Sequence, residues 1–315
     1  MSPSSVESKL PRARFLLVTG KGGVGKTTVA ATLARAYEAE GKRVLICMCN
    51  AKDRLSALLK RHVGTALGAS VVPMTRGIWA VNMNPDAAIE EYGMLTLKSR
   101  ALYKVLFDNR YVRSFLRAVP GLQDWSMLGK AWWHTTEQDS TGQLKYDVVI
   151  LDAPATGHGL DMLRVPKVIV DVVPPGLLRR DAEAAWTMFR DPTQAGVVLV
   201  TLPEEMPVTE SIELLGAVRS ELGLPIAKVI VNAALPELFS AEERTILRAQ
   251  PNIEGASPAA AALHAGALRA LREDLQREAI DRLAPHAGMP LTRLPLVLEG
   301  DASPDGIDAL LPHLV

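Results

Sequence analysis

A glycine-rich turn between an apolar run and an amphipathic stretch constrains the fold of this chain more than any other feature. The run Phe15–Thr19 is almost continuously apolar, which is typical of a strand covered on both faces. The turn spans residues 20–27, and the pattern after it predicts a helix over residues 26–40 that ends at Gly41. The next apolar run, Val44–Cys49, completes a β-α-β unit, so its two strands must be parallel and their connection right-handed.

Further short runs rich in β-branched residues predict the rest of a sheet. Helical stretches separate most of these runs, which cover residues 78–83, 146–151, 197–201, 229–232 and 291–296. This alternation of strands and helices predicts an α/β fold, in which a doubly wound and mostly parallel sheet is flanked by helices. The run 168–173 is ambiguous, because its composition favours a strand whereas the prolines on both sides of it disfavour one.

The domain organisation is predicted from the segments in which the alternation of strands and helices is interrupted. Residues 1–13 are polar and lack the apolar stretch of a secretory signal, so they predict a disordered N-terminus. Residues 14–315 predict a single domain. Residues 86–143 have a helical pattern without strands, which predicts a helical insertion into that domain.

Composition excludes several classes of protein. Hydrophobic residues make up 48% of the chain, enough for a sizeable core, so disordered and collagen-like classes are excluded. The 35 basic residues balance 35 acidic ones, which disfavours binding to nucleic acid or anionic lipid. No run approaches the roughly 18 to 20 apolar residues of a membrane helix. Two cysteines suit a reducing compartment, and we expect a cytoplasmic protein.

Residues 20–27 also fit the phosphate-binding pattern G-x-x-x-x-G-K-S/T in every fixed position. The glycines let backbone N–H groups converge on phosphate oxygens, and the following helix adds its positive N-terminal end. Lys26 is expected to reach the β- and γ-phosphates, and the Thr27 hydroxyl to bind Mg²⁺. The nucleotide-binding residues predicted for this loop are Gly20, Gly22, Gly23, Gly25, Lys26, Thr27 and Thr28.

An acidic residue at the end of a later strand completes the predicted magnesium site. Asp152 directly follows the apolar run 146–151. A carboxylate at the carboxyl end of a parallel strand lies at the ligand-binding edge of the sheet. Asp152 is therefore predicted to hold Mg²⁺ from the side opposite Thr27.

The second position of the loop, Lys21, carries a further signal. The form G-K-G-G-x-G-K-S/T resembles the deviant P-loop of a class of dimeric ATPases. That class includes nitrogenase iron protein, the septum-positioning and plasmid-partition ATPases, and the arsenite-pump and tail-anchored-protein-targeting ATPases. The resemblance implies that Lys21 crosses a dimer interface to the partner's nucleotide, where a second cation stabilises the charge being transferred. The alternative is a solvated lysine on a loop.

Residues 152–158 narrow the resemblance to one branch. Their sequence, D-A-P-A-T-G-H, is similar to switch II of the ArsA-like branch, the arsenite-pump and tail-anchored-protein-targeting (guided entry) ATPases. Residues 82–92, 119–122 and 202–210 resemble further segments of that branch. The resemblance implies an ATPase that uses Mg-ATP, and it assigns adenine contacts to Asn232, Pro295 and Leu296.

The sequence departs from the branch in switch I. The branch has D-P-A-H-N-L-S-D, and Leu55 and Ser56 set the register in which Asn50 replaces the first aspartate. The resemblance gives that aspartate the task of positioning the attacking water, and a neutral amide cannot take up its proton. Such a group contributes about 10² to 10⁴ in rate, so we expect Mg-ATP binding with slow or impaired hydrolysis. Either Asp53 substitutes for the missing carboxylate, or this chain pairs with a paralogue whose switch I is intact.

Three further departures from the branch limit the function. The zinc-binding C-x-x-C pair is absent, and Cys47 and Cys49 cannot close a tetrahedral site, so no zinc is expected. The two cysteines point to the same face of a strand, which favours packing, and without a cysteine cluster metalloid extrusion is disfavoured. Only about thirty residues follow Pro166 before the next strand, too few for the client groove of the targeting members.

The helical insertion is the remaining candidate surface for a protein partner. Trp125, Trp132 and Trp133 lie within nine residues of one another. They are either core residues, which we favour, or aromatic anchors for a client. Two functions follow: a nucleotide-switched homodimeric ATPase coupled to a protein client, or a regulatory subunit that binds ATP within a heterodimer without hydrolysing it. A DNA- or membrane-partitioning ATPase is disfavoured by the neutral charge.

Overall fold

An eight-stranded sheet forms the centre of the computed structural model, which describes residues 10–59, 67–97, 121–154, 158–249, 257–298 and 303–314. The strands are β1 (Phe15–Thr19), β2 (Val44–Cys49), β3 (Val72–Pro73), β4 (Ile78–Met83), β5 (Val148–Asp152), β6 (Ala195–Thr201), β7 (Ile226–Ala234) and β8 (Thr292–Pro295). The helices are α1 (Lys26–Ala39), α2 (Leu55–Leu58), α3 (Pro85–Leu97), α4 (Leu122–His134), α5 (His158–Val172), α6 (Leu177–Arg190), α7 (Glu205–Gly216), α8 (Ala241–Ala249), α9 (Pro258–Ala287) and α10 (Pro304–Leu310).

The strand order is β3-β4-β2-β5-β1-β6-β7-β8, and every pair is parallel except β3 with β4. The predicted α/β fold with a mostly parallel sheet is therefore confirmed. The antiparallel strand β3 was not predicted from the sequence, because a two-residue strand is too short to show a hydrophobic period.

Both faces of the sheet are covered by helices, as a doubly wound fold requires. In β1, Phe15 and Leu17 pack on one face, and Leu16 and Val18 on the other. Helices α4 to α7 and α9 cover the first face, and α1, α2 and α10 cover the second. Because parallel strands end at one edge, the carboxyl ends of β1, β2, β5, β6 and β7 meet there.

Some boundaries differ from the prediction. The strand expected over residues 146–151 is Val148–Asp152, since Asp152 still pairs with Val18 and Met48 of the neighbouring strands. The ambiguous run 168–173 lies almost wholly in α5, which continues through Pro166. The run is β-branched, but it is amphipathic in the fold, because Ile169 packs in the core while Val168 and Val172 are exposed. Tertiary packing overrides the local preference here.

Two predicted segments lie partly outside the described residues. Residues 1–9 are not described, so disorder there stays a prediction, whereas Leu10 and Ala13 are buried in the core around α1. Helices α3 and α4 belong to the predicted insertion 86–143, and residues 98–120 lie outside the described part. No helix among the described residues is long and apolar enough to cross a membrane.

The positions of both cysteines and of Trp125 agree with the predicted role of these residues in core packing. Cys47 and Cys49 are both buried on one face of β2, and burial raises the pKa of each thiol, to about 12 for Cys47. Among the three clustered tryptophans, Trp125 is a core residue, Trp132 is half-buried against the core, and Trp133 is 41% exposed. The interpretation as a core residue is therefore confirmed for Trp125, whereas the exposed part of the Trp133 side chain could contact a partner.

Candidate active site

The phosphate-binding pattern lies between β1 and α1, at the edge where the strands end. At two of its positions only glycine fits. Gly20 has φ +151°, and a Cβ there would lie 2.1 Å from the carbonyl oxygen of Val200 in β6. Gly25 has φ +89°, and its Cβ would lie 2.2 Å from the amide nitrogen of Asn232 in β7. The loop therefore packs closely against β6 and against the Asn232 side chain of β7, which fixes the path of its backbone.

The loop leads into the start of α1 without a capping side chain. Gly25 is the N-cap residue and has none to offer, so the N–H groups of the first turn have no side-chain acceptor there. Gly22 and Gly23 are exposed, and space is open beside Gly23 at φ +86°. Unpaired N–H groups and the helix dipole together make a site for an anion such as phosphate.

Lys26 is turned back over this loop. Its Nζ donates hydrogen bonds to the carbonyl oxygens of Gly20 and Lys21, each at 3.1 Å. Burial lowers the pKa of Lys26, and the negative charge of Asp152 partly opposes that shift. The ammonium group is thus held beside the uncapped helix start, where it can neutralise phosphate charge. Thr28, half-buried in the same turn, uses its carbonyl to accept from the Thr32 hydroxyl at 2.8 Å.

Thr27 and Asp152 meet although they are far apart in the sequence. The Thr27 hydroxyl donates to Oδ2 of Asp152 at 2.6 Å. Asp152 is 6% exposed, and burial raises its pKa to about 6, against the opposing effects of Thr27 and Lys26. A bound cation would stabilise the ionised form of a carboxylate this deeply buried, since its positive charge would compensate the lost hydration.

The oxygen pair fits Mg²⁺. Hydroxyl and carboxylate oxygens are hard ligands, and Mg²⁺ is usually bound by one or two carboxylates together with substrate phosphates and water. No cluster of three or more His, Cys, Asp or Glu residues that could hold a metal occurs in the described part of the chain. A site built on Thr27 and Asp152 would complete its shell from phosphate groups and water.

Lys21 has a partner within its own chain. Its Nζ lies 2.5 Å from Oε1 of Glu210 in α7, and each side chain is about one third exposed. The sequence contained no signal for this contact, because the two residues are 189 positions apart. The role across a dimer interface stays a prediction.

Asn50 lies directly after β2 in a tight turn. It is exposed, its φ is +46°, and its N–H donates to the carbonyl of Met83 at 2.8 Å. Asparagine tolerates this left-handed region better than most residues. The amide of Asn82 at the end of β4 holds the next residue, accepting from the N–H of Ala51 at 3.1 Å and donating to its carbonyl at 2.7 Å. Asn82 is thus a support for this turn that sequence analysis missed.

Asp53 is occupied by structural contacts. Its carboxylate accepts from the N–H and hydroxyl of Ser56, at 3.0 and 2.6 Å, and from the N–H of Leu67 at 3.0 Å. These bonds hold an N–H group in the first turn of α2 and the N–H of Leu67. In this arrangement the Asp53 carboxylate is engaged in the turn, and its substitution for a switch I aspartate stays a prediction.

A cavity of about 710 Å³ lies at the carboxyl ends of β6, β7 and β8. Leu296 lines it, whereas Pro295 pairs with Ala234 inside the sheet. Asn232 precedes the lining residue Ala233 and donates to the carbonyl of Val24 in the glycine loop at 2.9 Å. Of the three residues predicted to contact adenine, Leu296 lines the cavity. Asn232 and Pro295 do not line it, but each directly precedes a residue that does, Ala233 and Leu296.

Known proteins resemble this chain over most of its length. A family model described as anion-transporting ATPase matches residues 13–174 and 178–256. The ATPase BagA of Mycobacterium tuberculosis is 30% identical over 235 residues, which cover 73% of this chain and 67% of that protein. A putative arsenical pump-driving ATPase of Halobacterium salinarum is 27% identical over 244 residues, 71% of this chain and 36% of that protein. The ATPase ASNA1 homolog 1 of Paramecium tetraurelia is 26% identical over 160 residues, 50% of this chain and 44% of that protein.

The family match includes the glycine loop, Asn50, Asp152 and Asn232, and ends before Pro295 and Leu296. It confirms the resemblance inferred from the loop and from residues 152–158. This chain belongs to the ArsA-type family of anion-transporting ATPases, and it is a P-loop ATPase.

Proposed function

We propose that this ATPase binds Mg-ATP at residues 20–27 and Asp152, closes on the nucleotide as a dimer, and transmits that closure to a protein partner. The contact between Thr27 and Asp152 carries the proposal, because it joins the hydroxyl of the phosphate loop to a buried carboxylate from another strand. The unpaired N–H groups at the start of α1 and the ammonium of Lys26 provide the phosphate site beside it.

Each polar group of the site has a separate task in this proposal. The glycine loop and the start of α1 bind the phosphates through N–H groups, and Lys26 neutralises their charge. Thr27 and Asp152 would hold Mg²⁺, which when bound would neutralise negative charge on the phosphate oxygens. Asn50 orients that water by hydrogen bonding, and its amide cannot accept the proton that the water must lose.

Slow hydrolysis is the expected consequence. Asp53 is engaged with Ser56 and Leu67, so its carboxylate is tied to the turn rather than free to act as a base. A nucleotide that persists on the protein suits a switch, in which the bound state lasts long enough to engage a partner.

A protein partner is favoured over a metalloid. Cys47 and Cys49 are both buried in the sheet, with raised thiol pKa values, and they present no thiolate at the surface. The half-exposed Trp133 on α4 belongs to the insertion that we propose as the contact region. Tryptophan at a surface is enriched at protein interfaces.

Two measurements test this function. Phosphate release is compared for the wild type, Asn50→Asp and Asn50→Ala, and sedimentation velocity is recorded with Mg²⁺ and a non-hydrolysable ATP analogue. We expect dimers only with nucleotide, slow wild-type turnover, and a rise of at least about tenfold in Asn50→Asp that Asn50→Ala does not share. Equal turnover in the wild type and Asn50→Asp would show that hydrolysis is not limited at residue 50. A monomer at saturating analogue would contradict the dimer switch.

The second candidate is a non-hydrolysing regulatory subunit, favoured by the amide at residue 50. It predicts tight Mg-ATP binding with no turnover in the homomeric protein. Mixing with a paralogue that has an intact switch I aspartate should then form a heterodimer whose turnover depends on Lys21 of this chain. Failure of Lys21→Ala to alter that turnover would exclude this candidate.

A further inference from the structure

A buried hydroxyl at the end of β1 lacks a hydrogen-bond partner. Thr19 is 1% exposed, and its Oγ1 has no partner among the described residues. The neighbouring strand β6 ends in a threonine that does have one, since the hydroxyl of the buried Thr201 donates to the carbonyl of Leu202 at 3.2 Å. An unpaired buried hydroxyl costs free energy, so any state of the protein that gives Thr19 a partner is stabilised at this atom.

The Thr19 hydroxyl faces the start of α5. A Cβ on Gly159, the second residue of that helix, would lie 3.0 Å from Oγ1 of Thr19 and 3.3 Å from the carbonyl oxygen of Pro154. Both oxygens therefore border the space that the absence of a side chain at Gly159 leaves open. A hydroxyl and a carbonyl oxygen bond at about 2.7 Å, so a small shift of the chain after β5 would bring these two together.

Pro154 lies two residues after the carboxylate of the proposed magnesium site. The N–H of Ala153 donates to the carbonyl of Val18 at 3.0 Å, so the chain after Asp152 runs alongside the end of β1. Asp152 accepts from the Thr27 hydroxyl in the structure. A change in what Asp152 binds is therefore transmitted to Pro154 over a short stretch of backbone.

We propose that Thr19 is a positioning residue of this ATPase, whose hydroxyl donates to the carbonyl of Pro154 once Mg-ATP is bound. The bond would hold the chain after β5 and the start of α5 against β1, and would thereby orient the Asp152 carboxylate. Gly159 is needed for this bond, because a side chain there would separate the two oxygens. The inference rests on the proposed function, that Mg-ATP binds at residues 20–27 and Asp152.

The test measures backbone hydrogen exchange at residues 158–165 by mass spectrometry, with and without Mg²⁺ and a saturating non-hydrolysable ATP analogue. In the wild type the analogue should slow exchange in the first turn of α5 by about tenfold, the effect of one hydrogen bond. Thr19→Val has nearly the same shape without the hydroxyl, so it should lose this slowing and bind the analogue no more than about tenfold more weakly. Thr19→Ser keeps a hydroxyl and should retain the slowing.

Two further variants test the geometry. Thr201→Val is the matched control, because it removes a buried hydroxyl from the end of β6 and should leave the slowing at α5 unchanged. Gly159→Ala places a methyl group between the two oxygens and should abolish the slowing although Thr19 is present. Combining Thr19→Val with Gly159→Ala should then cause no further loss, since both substitutions remove the same bond.

The melting temperature without nucleotide distinguishes positioning from a structural role. Thr19→Val should melt no lower than the wild type, because the hydroxyl has no partner in that state. A lower melting temperature would overturn the proposal, since it would indicate a bond already present in the nucleotide-free protein. Retained slowing in Thr19→Val would overturn it as well. If Thr19→Val does not fold, Gly159→Ala decides the question.

The outcomes also separate this inference from the function on which it rests. A wild type that binds the analogue without slower exchange in α5 overturns the role of Thr19 and leaves the phosphate site intact. A wild type that does not bind the analogue, or a Lys26→Ala variant that binds it equally well, shows that the proposed nucleotide site is wrong, and the inference fails with it.

Discussion

Lys21 and Glu210 form an ion pair within one chain, with Nζ 2.5 Å from Oε1. The family resemblance gives Lys21 a role in a partner's nucleotide site, and the same ammonium cannot serve both contacts. In the proposed dimer, the pair would therefore compete with closure. Its own contribution to stability is small, because both side chains are about one third exposed and exposed pairs contribute roughly 0–1 kcal/mol.

Releasing Lys21 should strengthen nucleotide-dependent dimerisation. Glu210→Gln is expected to lower the dimer dissociation constant several-fold in sedimentation velocity with Mg²⁺ and a non-hydrolysable ATP analogue, since the lysine no longer leaves an ion pair. Glu213→Gln, an exposed position on the same helix, changes the net charge equally and should have no effect. Weaker dimerisation in Glu210→Gln would instead assign Glu210 a role in the closed interface.

Removing the Thr27 hydroxyl should abolish the magnesium dependence of nucleotide binding. Thr27→Val keeps the volume but loses the oxygen that contacts Asp152, so Mg-ATP affinity should fall by at least about tenfold while affinity measured in EDTA changes little. Thr32→Val is the matched control, because its buried hydroxyl in the same helix donates only to the carbonyl of Thr28. An equal loss of affinity with and without Mg²⁺ would contradict a ligand role for Thr27.

The buried carboxylate of Asp152 predicts a pH-dependent stability. Burial raises the pKa of Asp152 from 3.8 to about 6, so the folded state holds a proton over a range in which the unfolded chain has lost it. Its favourable contribution is present below about pH 4 and is lost as pH rises through about 6. Above that pH the ionised, buried carboxylate costs roughly 2–3 kcal/mol.

Asp152→Asn removes that penalty. Without nucleotide or Mg²⁺, urea unfolding should show the variant more stable than the wild type at pH 8, and the difference should shrink toward pH 5. Asp147→Asn is the contrasting variant, because its partner Arg43 lowers the pKa of Asp147 and the substitution should destabilise at pH 8. A difference between Asp152→Asn and the wild type that does not change with pH would contradict the raised pKa.

A methyl group at Gly25 should disrupt the phosphate loop more than one at Gly41. Both glycines have positive φ, but a Cβ at Gly25 meets the Asn232 amide at 2.2 Å, whereas nothing lies within 4 Å at Gly41. Gly41→Ala should therefore cost about 1 kcal/mol of conformational strain and leave ATP affinity unchanged. Gly25→Ala should cost more and weaken ATP binding at least about tenfold, because Asn232 must move.

A double variant isolates this clash. Asn232→Ala removes the obstructing amide, so Gly25→Ala should cost less stability in that background than in the wild type when melting curves are compared. Additive losses would mean that the strain at Gly25 comes from its backbone conformation alone.

Local pattern was sufficient for much of the fold and part of the site. Burial on both faces leaves a continuous apolar run, so β1 and β2 were predicted with their observed bounds. Thr27 and Asp152 were also expected at one site, because the glycine loop and Asp152 both lie where parallel strands end at the same edge of the sheet, but their direct hydrogen bond was not predicted. Residues 168–173 could not be assigned from composition, since their helical conformation depends on which side chains the rest of the protein covers.

The sequence by itself determined the family, the α/β class, the phosphate loop and the amide at residue 50. Each of these depends on residues that are close together in the chain, so a local pattern is enough to recognise it. Only the tertiary structure decided which groups are engaged: Lys21 with Glu210, Asp53 with Ser56 and Leu67, and Gln276 with Leu235. Most of these partners are tens to hundreds of positions apart in the chain. Their contacts depend on how helices pack on the sheet, and no local pattern of residues encodes that packing.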